Sequence, residues 1–177
     1  AAILSSDDPL VWYPAEVNTS IRPGWFYHAS EDAQVRSSAD LFDIYRGSVG
    51  GNATFLLNVP PAPNGLIAAP DVAVLAEMGR TIEAFYGRDV AAAATVSTDG
   101  AVTTLSWLEP VTIDGVVLGE DIAQGQQIDE MVVEGLGADR EWQVLATVGS
   151  VGYRRIVGVV PIVVRHVRLT VTIARGA

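Results

Sequence analysis

The sequence predicts an α/β segment followed by an all-β, antiparallel sandwich. Three observations carry that prediction. Apolar residues recur at helical spacing in two stretches between positions 38 and 87, a short continuous apolar run separates them, and β-branched runs without a helix follow residue 98. The change of period places a boundary near residues 88 to 98.

Taken in order, residues 1 to 36 carry Trp12, Tyr13, Trp25, Phe26, Tyr27 and His28 between and around Pro14 and Pro23, with no sustained periodicity. They read as a loop that belongs beneath other structure or in a ligand cleft. From Ser38, an available cap, Leu41, Ile44, Tyr45 and Val49 share one face of a helix that stops near Gly50-Gly51. Ala53 to Val59, with Phe55, Leu56 and Leu57, reads as a strand buried on both faces, bounded by Pro60-Pro61. Pro70 and Asp71 open a second helix bearing Leu75, Met78, Ile82 and Phe85 and ended by Gly87. A lone buried parallel strand needs neighbours on its edges, and none is visible around it in the sequence.

In the second part, runs at 102–105, 111–118, 128–136, 142–148, 155–160 and 163–173 read as strands. Asp99-Gly100, Asp114-Gly115 and Gly137-Ala138-Asp139 read as the turns that separate several of them.

Composition narrows the chemistry. The 177 residues have 49% hydrophobic and 18% charged content, which supports a packed core. Eleven basic residues, every one Arg, face twenty-one acidic ones for a net charge of −10, which argues against nucleic acid as a partner. With neither Cys nor Lys, the chain has no disulfide, thiolate site, Schiff base or P-loop lysine. His28 and His166 each stand without a second His at metal spacing, so no metal site and no cofactor is expected. No apolar run is long enough to span a bilayer, and no signal peptide is legible. A secreted protein and a bacterial cytoplasmic one both fit.

Few residues invite a site. His166 reads as a surface strand residue, and Glu31-Asp32 as a cap or solvated turn. For His28, beside Trp25 and Tyr27, structural hydrogen bonding and ligand contact stand level. Glu16 lies between aromatic clusters with Arg22 available as a partner. One reading is a buried Glu–Arg pair; the other is a carboxylate accepting from sugar hydroxyls beside a Trp platform.

Trp12-Tyr13-Pro14-Ala15-Glu16 followed by Ser20-Ile21-Arg22-Pro23-Gly24-Trp25-Phe26-Tyr27-His28 resembles a stretch of the α-L-fucosidases of glycoside hydrolase family 29. Glu31-Asp32, Tyr45, Ser48-Val49-Gly50, Asn52, Leu56-Leu57-Asn58-Val59-Pro60-Pro61 and Gly65-Leu66-Ile67 continue the likeness. So do Gly119-Glu120-Asp121-Ile122-Ala123-Gln124-Gly125-Gln126, Val151-Gly152-Tyr153-Arg154-Arg155 and Val167-Arg168-Leu169. The resemblance runs in order through nearly the whole chain and is nearest to the branch acting on α-1,3/1,4-linked fucose.

It implies the C-terminal end of a (β/α)8-like barrel over residues 1–90 and a galactose-binding-like β-sandwich over 91–177. The implied activity is retaining release of α-linked L-fucose from glycans, in which an Asp attacks and a Glu serves as acid and base. Those carboxylates belong to W-F-D-G-type and G-N-E-type motifs that residues 1–177 do not contain, so no catalytic residue is expected in the chain. Trp25, matching the aromatic position on the fucose methyl side, with Glu16, Arg22 and His28, would line one wall of the pocket. The expected partners are a fucosylated glycan and the missing N-terminal barrel portion or a complementary chain. Where relatives usually carry Arg after Ser-Val-Gly, this chain has Gly51. The alternative reading is a non-catalytic carbohydrate-binding or structural module.

Overall fold

The computed structural model describes residues 14–123, 125–137 and 139–175. Trp12 and Tyr13, with Gln124 of the Gly119–Gln126 stretch and Ala138 of the expected Gly137–Asp139 turn, lie outside the described residues.

The first part is built on two parallel strands, β1 (Glu16–Ser20) and β2 (Thr54–Asn58), paired from Glu16↔Thr54 to Ser20↔Asn58. Between them run a 3-10 turn (Ala29–Gln34) and helix α1 (Ser38–Ser48); helix α2 (Ala69–Tyr86) follows β2. Ser37, one residue ahead of the expected Ser38, caps α1 by accepting from the Asp40 amide. Pro70 opens α2 where its missing N–H costs nothing. Ile21, Leu41 and Met78 are buried together, with Ile44, Phe55, Leu57, Leu75 and Ile82 packed against them.

Two expectations change here. Part of the aromatic loop is a strand: Glu16–Ser20 has no apolar period, and β1 forms through parallel pairing with a partner 38 residues away in register. The run at β2 is not buried on both faces, because Leu56 is 47% exposed while Phe55 and Leu57 turn inward.

The second part is one five-stranded antiparallel sheet in the order β3-β4-β7-β5-β6, comprising Thr95–Asp99, Val102–Leu118, Ile128–Leu136, Trp142–Val148 and Arg155–Ala174 for β3 to β7. The two expected strands at 102–105 and 111–118 are one strand, as are those at 155–160 and 163–173. Asp114-Gly115 is not a turn. It lies at a register shift between Ile113 and Gly115, and a second shift lies between Ser106 and Val111. Such bulges bend a strand without ending it. A Cβ on Gly115 would come within 2.8 Å of the Phe85 ring, so glycine lets α2 pack against the bend.

One apolar cluster draws on both halves of the long strands: Ile113, Leu118 and Val164 join Trp107, Met131, Val133, Val148 and Val167. The second part is thus mostly antiparallel sheet around a shared core, consistent with a β-sandwich.

The two parts are clasped at Asn52, which adopts a left-handed φ of 66°. Its Nδ2 donates to the Val151 carbonyl at 2.9 Å, and its Oδ1 accepts from the Arg154 amide at 2.8 Å. The Ile156 amide donates to the Gly50 carbonyl, and Gly51 bridges to Arg155. Gly51 therefore contributes to this clasp through its backbone alone.

Candidate functional site: the loop after β1

The segment Ile21–His28 leaves the C-terminal end of β1 and is held by backbone and side chain together. The Ile21 amide donates to the Asn58 carbonyl at the end of β2. Ser20 Oγ donates to the Gly24 carbonyl at 2.7 Å, and Asn58 Nδ2 donates to Ser20 Oγ and to the Trp25 carbonyl at 3.1 and 3.0 Å. The backbone of Trp25 is therefore fixed at the strand ends while its indole stays 52% exposed. Phe26 beside it is 78% exposed.

Arg22 is the hub of this loop. Its side chain is wholly buried, with Nε donating to Asp71 Oδ2 at 3.0 Å, Nη1 to the His28 carbonyl at 3.2 Å and Nη2 to Asp32 Oδ1 at 2.8 Å. The guanidinium also sits 4.7 Å from the centroid of the Tyr27 ring. Burial opposes its charge, but the bonds from Asp71 and Asp32 outweigh that and hold the group above its ordinary value.

The four expected wall residues therefore fall into different places. Trp25 and His28 lie in the same loop; both are exposed, and the His28 residue precedes the 3-10 turn. Arg22 is buried, with every guanidinium nitrogen engaged internally. Of the two readings of Glu16, the buried Glu16–Arg22 pair does not form, because Arg22 takes Asp71 and Asp32 instead. Glu16 is exposed at the first position of β1, so water satisfies its carboxylate without a partner. Four residue steps of strand, about 13 Å, separate it from Ser20, at the end where the Trp25 backbone is anchored.

Asp71 and Asp32 are the participants that sequence reasoning missed as partners of Arg22. Asp71 was legible only as a helix-start residue, and Asp32 only as a cap or turn. Their separations of 49 and 10 residues from Arg22 leave no local spacing signal.

Elsewhere, a cavity of about 700 Å³ lies between the C-terminal turn of α2, at Phe85 and Tyr86, and the bent half of β4 from Thr112 to Leu118. None of the four expected wall residues lines it. At its border the Tyr45 and Tyr86 hydroxyls meet at 3.0 Å, and burial together with that bond pushes Tyr45 up to about 12. Among the described residues no group of three or more His, Cys, Asp or Glu could hold a metal ion, and no helix is long and apolar enough to cross a membrane.

No protein-family profile matches the chain. Individual relatives do. A rice (Oryza sativa subsp. japonica) protein named "Putative alpha-L-fucosidase 1" is 32% identical over 82% of this chain and 34% of its own length. "Alpha-L-fucosidase 1" of Arabidopsis thaliana is 46% identical over 49% of this chain and 17% of its own length. In three dimensions, the crystal structure of a glycoside hydrolase 29 family member from an unknown rumen bacterium matches with a TM-score of 0.86 and 35% identity, covering 92% of this chain and 31% of that one. The chain thus spans about a third or less of the length of each of these relatives. Sequence and fold agree that the chain matches the C-terminal portion of an α-L-fucosidase of glycoside hydrolase family 29.

Proposed function

We propose that the chain supplies one wall of the fucose pocket of a retaining exo-α-L-fucosidase, together with an accessory galactose-binding-like sandwich. In this reading residues 1–90 are the end of a (β/α)8-like barrel and residues 91–177 the sandwich. The observation that carries it is the placement of Trp25: half exposed, anchored through its carbonyl, on the loop beyond the C-terminal end of a parallel strand. Sites in parallel α/β folds gather at that end, where loops can vary without disturbing the sheet. An indole there covers the C–H face and methyl group of a sugar, and His28 on the same loop offers ring nitrogens to its hydroxyls. Glu16 stands exposed at the other end of β1.

The attacking Asp and the proton-donating Glu of the two-step mechanism come from outside residues 1–177, and the exposed Val17, Leu56, Leu66 and Ile67 are surface for the rest of the barrel. Glycans with α-1,3/1,4-linked fucose are the proposed substrates.

Isothermal titration of L-fucose and fucosylated oligosaccharides into the chain and into Trp25→Ala tests the wall. Binding that disappears in the variant supports it, whereas unchanged binding moves the ligand to the sandwich and refutes it. An aryl α-L-fucoside should remain unhydrolysed by the purified chain; turnover that survives a host-enzyme control would show that catalytic carboxylates are present after all.

A further inference from the structure

Asp71 stands in the first turn of α2 with its side chain fully buried. The helix N-terminus favours its negative charge, and Arg22 Nε supplies the one hydrogen bond it receives on Oδ2. Oδ1 is buried with no partner among the described residues. A carboxylate kept in the core at that cost, for one bond, needs a reason beyond filling space.

The guanidinium plane provides the reason. Its five N–H groups form a rigid fork, so fixing Nε–H fixes where the two Nη groups aim. Here they aim at the His28 carbonyl and at Asp32, while the guanidinium lies 4.7 Å from the centroid of the Tyr27 ring. The loop Pro23–His28 is thus drawn around a cation whose orientation is set from α2.

We propose that Asp71 is a positioning residue: through Arg22 it sets the pose of the loop Pro23–His28, and so of Trp25 and His28. The consequence for sugar binding rests on the fucose-wall reading; the pose of the loop rests on these contacts alone.

The test uses the 177-residue chain labelled with 5-fluorotryptophan. It compares wild type, Asp71→Asn and the double variant Arg22→Met/Asp71→Leu, which replaces the buried charges with apolar volume. Fluorine NMR follows Trp25, assigned through Trp25→Phe, hydrogen exchange at the Leu41 and Met78 amides reports intact folding of the first part, and titration gives the affinity for L-fucose. In both variants the Trp25 resonance should shift or broaden while those two amides stay protected, and fucose affinity should fall about tenfold. The double variant should regain the thermal midpoint without regaining the Trp25 signal or the affinity. A Trp25 resonance unmoved in both variants overturns the proposal. So does loss of protection at Leu41 and Met78 in both, which would assign the charges to holding the core. If the wild-type chain binds no fucose, the wall reading fails, while the Trp25 resonance still decides the pose of the loop.

Discussion

Removing the Glu120 carboxylate should loosen the sandwich at one identifiable corner. Its Oε1 accepts from the Gly152 amide at 2.6 Å, and its Oε2 accepts from the amides of Gln127 and Ile128 at 2.8 and 3.0 Å. One side chain thereby ties the loop after β4 to the start of β5 and to the loop before β7. Hydrogen bonds to a charged group contribute about 1.5–3 kcal/mol each, and water recovers part of that at a half-buried site, so Glu120→Ala should cost about 3–4 kcal/mol. Glu120→Gln keeps one acceptor oxygen but turns an NH2 toward an N–H donor, which gives about 2 kcal/mol. For a chain of this size each kcal/mol lowers the melting midpoint by roughly 2–4 °C. The Ala variant should therefore melt on the order of 10 °C lower and the Gln variant about half as far. Circular dichroism melts give the midpoints, and hydrogen exchange at the Gly152, Gln127 and Ile128 amides gives the locus. A midpoint within a degree of wild type, with those three amides still protected in Glu120→Ala, would refute the carboxylate clamp.

Three further outcomes are expected. Gly152→Ala places a Cβ about 2.7 Å from Asn52 Oδ1 at a φ of +62°, so both the clasp and the backbone resist it; a loss of about 2 kcal/mol or more is expected in urea unfolding. The bidentate Arg168 bond holds Glu134 below its ordinary value, against the opposing effect of burial. A depressed carboxylate contributes stability above its unfolded value of about 4.5 that is lost as pH falls through the folded one. Glu134→Gln should accordingly cost about 1 kcal/mol at pH 7 and flatten the loss of stability below pH 4.5, as read from denaturant midpoints across pH. Trp107→Phe removes the 2.7 Å bond from Nε1 to the Val90 carbonyl, leaving that carbonyl without the indole donor; a cost of about 1–2 kcal/mol in the same assay is expected.

What the sequence showed, and what it hid, divides along local and non-local causes. Helices α1 and α2 were legible because their apolar spacing and their Ser and Pro starts are written within one or two turns of chain. Strands β5 and β6 were legible as runs of β-branched residues between Gly and Asp. Asp114-Gly115 misled because turn chemistry and bulge chemistry use the same residues; only pairing with the opposite strand decides between them. Strands β1 and β3 lack an inward apolar alternation and are defined by partners alone. At the site, Trp25 and His28 fell together because they are neighbours in sequence. For Arg22 only the nearby Glu16 was legible as an available partner, whereas the fold delivers Asp71 across 49 residues and Asp32 across 10. The Glu120 stretch stood out as a motif, yet nothing local in it announces that the carboxylate caps three amides up to 32 residues away.

The Asn52 clasp bears on how the chain matures during synthesis. Its two hydrogen bonds span 99 and 102 residues, and translation at roughly 5–20 residues per second needs about 5–20 s to cover that distance. Throughout that interval the corner between α1 and β2 has emerged without Val151 and Arg154 to close it, so the left-handed backbone of Asn52 lacks the two bonds that hold it. The ribosome-bound chain should accordingly be most open to proteases at that corner until Val151 and Arg154 arrive, as limited proteolysis of stalled nascent chains would read.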